Sequence, residues 1–142
     1  MIIFVFFSFL IIASCEEQVS PITYDGNVMV LTEANIEQIK QIRIAYISFV
    51  SLSNKEESEK VIGVLKRFSE LSENTHPVGY IDIDTNPKLK ELFGVTQLPH
   101  SVITQNGVPT IPFHFDVDES WIGTLFTNAD IFVVDKKDEP VE

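Results

Sequence analysis

The sequence predicts an α/β domain built on a central mixed β-sheet with helices on both faces, in the order β-α-β-α-β-α-β-β-α. Three observations carry this. "RIAYISFV" (43–50) and "VGYIDID" (78–84) are nearly continuous apolar runs, the pattern of strands buried on both sides of a sheet. Amphipathic stretches lie between such runs, and alternating βαβ units place parallel strands in one sheet. Near the end, "SVITQ" and "VPTIPFHFD" meet at Asn106-Gly107. That dipeptide favours a tight hairpin turn, so the sheet finishes with an antiparallel pair.

Each element has its own local reason. "NVMVL" (27–31) is a short strand, and Thr32 caps a helix whose Ile36, Ile39 and Ile42 recur at helical spacing. The strand 43–50 ends in a polar turn, and a long helix follows that should bury Val61, Val64, Leu65, Phe68 and Leu71. After strand 78–84, Asn86 is a cap, Pro87 suits the first helical position and Gly94 closes a short helix. Pro109 and Pro112 cannot donate to a ladder, so the second hairpin strand belongs at a sheet edge. "DESWIGTLFTNA" (118–129) reads as a final helix covering the sheet with Trp121, Leu125 and Phe126. "DIFVV" beyond it fits either a last helical turn or an extended segment.

At 142 residues and 44% hydrophobic, the chain has material for one domain with a full core. Its formal charge of −11 opposes binding to nucleic acid and to anionic membrane surfaces. The apolar run at 2–13 is too short to span a hydrocarbon core of roughly 30 Å but suits the h-region of a signal peptide, although no Lys or Arg precedes it. Ala13 and Cys15 form an A-x-C cleavage site. The expected organisation is a signal peptide at 1–15, a linker at 16–26, the domain at 27–130 and an acidic tail at 131–142. Two alternatives stand beside it: an N-terminal core strand, and a lipobox-like "IASC" with Cys15 lipidated and retained. Cys15 is the one cysteine of the chain.

At "YIDIDTNPKLKELFGVTQLPHSVITQNG" the sequence resembles the thioredoxin superfamily, most closely the thioredoxin-like modules of the protein disulfide isomerase family. Those modules carry [FY]-G-V-x-x-x-P-T before a strand and a hairpin; here "FGVTQLPH" (93–100) stands in that place. "VMVLTEANIEQI" is similar to their V-x-x-L-T-x-x-N-F opening, and the resemblance covers about residues 27–128. It implies a thioredoxin-like fold with a cis bond between Leu98 and Pro99. Redox members carry F-[YW]-A-P-W-C-x-x-C at the end of the second strand, and counting from Phe49 puts Asn54 and Glu57 at the two cysteine positions. Disulfide exchange needs a thiolate, which an amide and a carboxylate cannot replace. Ser48 stands where the family has a buried acid, and His100 where it has Thr.

The resemblance therefore implies a module without redox activity. The turn Ser53, Asn54, Lys55, Glu56 and Glu57 is first a stability device: Ser53 or Asn54 caps the helix, and the two glutamates meet the positive end of its dipole. The binding surface expected across from it is Leu98, Pro99 and His100, engaging unfolded polypeptide or a partner protein in the endoplasmic reticulum lumen or outside the cell. An acidic calcium-buffering or structural protein, similar to calsequestrin-type repeats, is the alternative. His76 falls in a loop and His114 should alternate outward on the edge strand. The three histidines match no metal-ligand spacing, and no phosphate loop, G-x-S-x-G or EF-hand pattern occurs. No metal, cofactor or membrane span after cleavage is expected.

Overall fold

The computed structural model describes residues 20–132 apart from residues 74 and 111, so the expected signal peptide, Cys15 and the tail beyond 132 lie outside the described residues. The run predicted as the central strand becomes β3 (Ile44–Val50), buried along its whole length. It lies between β4 (Val78–Asp82), parallel to it, and β5 (His100–Gln105), antiparallel to it. Outside β4 come β2 (Val28–Leu31) and β1 (Thr23–Asp25), and outside β5 comes β6 (Val108–Pro109), giving the order β1-β2-β4-β3-β5-β6. Three α-helices, α1 (Lys55–Leu71), α2 (Pro87–Leu92) and α3 (Glu119–Phe132), join one 3-10 helix (Ile36–Gln41).

Residues of a strand alternate between faces, and β3 supplies both halves of the core. Tyr46 and Val50 pack with Leu65 and Phe68 of α1 and with Ile122 and Leu125 of α3. Ala45, Ile47 and Phe49 pack on the other face with Ile39 of the 3-10 helix and Leu89 of α2. Each large side chain so buried contributes about 1.5–3 kcal/mol relative to exposure. Gly79 is opposite Met29 in the β2–β4 register. A Cβ there would sit 2.8 Å from both the Met29 Cβ and its carbonyl oxygen, so these strands require glycine at that point.

Four expectations change. The linker 16–26 contains β1, which pairs Thr23 with Val30 and turns at Gly26-Asn27; three residues are too few for a periodic signal, and their order comes from the partner strand. The first helix is 3-10, because Ile36, Ile39 and Ile42 recur every three residues, the period of a 3-10 helix, and all three pack against the same core cluster. Leu71 is 73% exposed, since the buried stripe of α1 continues through Ser69 and the half-buried Ser72 instead. Trp121 is 37% exposed and leans on Phe115, while its neighbour Ile122 enters the core beside Leu125.

The punctuation of the later elements matches the sequence. Pro87 opens α2, and Gly94 (φ 66) closes it with N–H bonds from Gly94 to Glu91 O and from Val95 to Lys90 O, a Schellman arrangement. Asn106 (φ 53) and Gly107 (φ 87) make the hairpin turn, and β6 lies at the edge. The segment "DIF" continues α3 to Phe132 as a last helical turn.

Candidate functional site

The site lies where β3 gives way to α1. Asn54 is the N-cap: its side-chain oxygen accepts from the Glu57 N–H at 3.4 Å, its carbonyl accepts from Ser58 N, and Glu56 and Glu57 occupy the first turn. Lys55 is turned to solvent, 4.0 Å from Glu59. The preceding turn is held by carboxylates from the end of β4. Leu52 N donates to Asp82 Oδ1 at 3.0 Å, while Ser51 Oγ (2.6 Å) and Ser53 N (3.2 Å) donate to Asp84 Oδ2. These bonds, first that from Ser51, hold the Asp84 carboxyl below its ordinary value.

Across from this turn the Leu98–Pro99 peptide bond is cis, as the resemblance implies. A groove of about 310 Å³ brings the two segments together, lined by Asn54, Glu57, Val61, Leu98, Pro99 and Asp116 among others. Leu98 is 37% exposed. Among the described residues, nothing bonds to its N–H or to its C=O.

His100 is not part of that lining. It is 3% exposed, paired opposite Phe49 in the β3–β5 register, with its ring edge-on to Phe49 at 5.2 Å and to His114 at 4.9 Å. Neither ring nitrogen has a hydrogen-bond partner, and burial, then the His114 imidazole, lowers its pKa. Its position beside Pro99 was legible, its burial on the Phe49 face of the sheet was not, and it contributes to the lining of the cavity that adjoins the groove. His114 is exposed and alternates outward from Phe113 as expected, and its ring also meets that of His100. His76 lies in its loop but stacks edge-on with Phe126 at 4.6 Å.

Sequence reasoning missed a second feature, a cavity of about 70 Å³ beside the groove between α1 and the sheet. Its floor is a buried hydroxyl cluster in which Tyr46 donates to Ser101 Oγ at 2.8 Å and Ser48 donates to the Tyr46 oxygen at 3.4 Å. Ser48, expected only as a missing acid, thus belongs to a neutral network. The signal was present as three polar residues on one face of apolar strands, but it requires the β3–β5 register to be read. Among the described residues, no three His, Cys, Asp or Glu side chains gather in a metal-binding arrangement. No described helix is long and apolar enough to cross a membrane.

No protein-family profile and no curated protein sequence matches the chain. Solved structures do. The first thioredoxin domain of mouse protein disulfide-isomerase A4 superposes with a TM-score of 0.67 at 13% identity, over 89% of this chain and 92% of that one. Human ERp44 in a zinc-bound form gives 0.61 at 13% identity over 72% of this chain and 34% of that one. A mutant thioredoxin from Halobacterium salinarum gives 0.55 at 17% identity over 72% of this chain and 91% of that one. At such identities the likeness establishes a shared fold: the chain is thioredoxin-like, with one cysteine in its whole length.

Proposed function

We propose that this thioredoxin-like domain holds extended polypeptide, without covalent chemistry, in the groove between Leu98–Pro99 and the Ser53–Glu57 turn. The unpaired peptide groups of Leu98 at the edge of the groove carry this reading. A segment laid alongside can take up the free N–H and C=O as an added strand does, with main-chain bonds supplying affinity and side-chain pockets supplying specificity. The rim carries Glu56, Glu57 and Asp116 on a chain of formal charge −11, which favours apolar segments that include a basic residue. Leu98 and Pro99 are the contact residues, and Asn54 with Glu57 stand where disulfide chemistry would need thiols. The setting we favour is the secretory pathway, supported by the apolar run at 2–13 and by the resemblance to disulfide isomerase modules.

Chemical-shift mapping with reduced, carbamidomethylated insulin B chain tests this. Shifts clustered at 53–57 and 97–99, weakened by Pro99→Ala and by salt, are expected; shifts confined to the far face of the sheet, or none at millimolar peptide, overturn it. Insulin reduction with a dithiol donor should proceed at the uncatalysed rate, and turnover retained in Cys15→Ser would contradict redox inactivity. Calcium titration distinguishes the buffering alternative, which requires uptake of many weakly held ions.

A further inference from the structure

Pro99 leads directly into β5, whose first residue, His100, is a buried imidazole, and the segment whose His114 covers it also walls the groove. His114 lies over His100, while Asp116, two residues on, lines the groove with Pro99. This covering segment is anchored at its two ends by Phe113 and Val117, which pack against the core, and has few backbone bonds between them. Phe113 N donates to Ser101 O at 2.7 Å and Ser101 N to Phe113 O at 3.0 Å, and among the described residues 114–117 make no backbone hydrogen bond before α3 begins.

We infer that protonation of His100 opens the 113–117 segment and thereby loosens the wall of the groove. In the closed form His100 has no acceptor for either ring nitrogen and lies T-shaped against Phe49. A cation there would be desolvated and unpaired, a cost that buried charges avoid by moving into water or staying neutral. The groups that face it offer no relief. β3 presents Phe49, and the covering segment presents His114, itself a base whose charge repels that of His100. The charged groups that line the adjoining cavity are Lys60 from α1 and Asp116 from the segment itself, and neither bonds to the ring.

The sign follows from the lowered value of the closed state. His100 is neutral when covered and regains an ordinary imidazole value near 6.5 when uncovered, so the closed form is fully favoured above that value. It loses ground as pH falls below 6.5, by at most about tenfold per pH unit for one proton. Regulation of polypeptide binding by this opening rests on the function proposed above; the opening itself does not.

Amide hydrogen exchange of the free, full chain decides it. Protection factors for Phe113 and Ser101, corrected for intrinsic exchange, should fall several-fold between pH 7.5 and pH 5.5. The fall should be smaller in His114→Leu, at an exposed position, because burial is the larger of the two causes acting on His100. It should vanish in His100→Phe, which keeps an aromatic ring against Phe49. Equal protection at both pH values in the wild type overturns the inference, as does an undiminished fall in both variants. In parallel, insulin B chain affinity should weaken about as much as protection does. Opening without any peptide binding at either pH would leave the switch standing and overturn the binding function instead.

Discussion

Two strand-to-helix junctions stand side by side at the carboxyl ends of the parallel strands β3 and β4, and they are built in opposite ways. The β4–α2 junction is closed. Asn86 is buried, accepts from Glu33 N at 2.9 Å across 53 residues of sequence, and donates to Asp82 O at 3.0 Å and Thr85 Oγ1 at 3.1 Å. The β3–α1 junction is open, with Leu52, Ser53 and Asn54 all exposed. Its shape is lent by the closed junction through Asp82 and Asp84. The same topological position can thus serve as an anchor in one βα unit and as a free rim in the next, and the free rim is the one that faces Leu98 and Pro99.

Removing the link between the junctions should do the most damage. Asp82 is buried and accepts from Leu52 N, Asp84 N and Thr85 Oγ1. With charge-assisted bonds worth roughly 1.5–3 kcal/mol each but sharing one carboxylate, Asp82→Ala should lower unfolding stability by about 3 kcal/mol in a denaturant titration. Asn86→Ala should cost about 2 kcal/mol, because it strands the Glu33 N–H in a half-buried place. Asn54→Ala, at the open junction, should cost only about 0.5 kcal/mol, the low end for a cap, given its 3.4 Å bond. If Asn54→Ala costs as much as Asn86→Ala, the contrast between the junctions fails.

The smallest effect is local and depends on pH. Asp84 has a lowered pKa from its Ser51 bond first, so its hold on the 51–53 turn is complete above its ordinary value of 3.8 and is lost as pH falls through the lowered one. The Ser53 amide should therefore keep its protection at pH 5.5, where the 113–117 segment opens, and lose it only in stronger acid. Simultaneous loss of both would show that the rim and the covering segment are one unit.

What could be read in the sequence was whatever is decided locally. Asn106-Gly107, Pro87 and Gly94 each demand one backbone geometry, and each is found in it. Residues 44–50 announced a strand buried on both faces because every position along it is covered. What failed depends on partners remote in sequence. β1 exists because β2 offers it an edge, and Trp121 yields to Ile122 because it is Ile122 that packs with Leu65 and Phe68 of α1. His100 was placed beside Pro99 correctly, yet its face follows from pairing with Phe49, far away along the chain. The rim residues Asn54 and Glu57 were found because a cap and a missing thiol are both local facts, whereas Asp82 and Asp84 as its supports were not.

The Leu98 amide offers the most direct test of binding by main-chain pairing. It has no partner among the described residues, so in the free protein it should exchange with solvent almost without protection. Saturation with reduced, carbamidomethylated insulin B chain should protect it at least tenfold while the exposed Leu52–Asn54 backbone shifts alongside. A peptide that binds yet leaves Leu98 exchanging as freely as before would contradict strand addition at this groove.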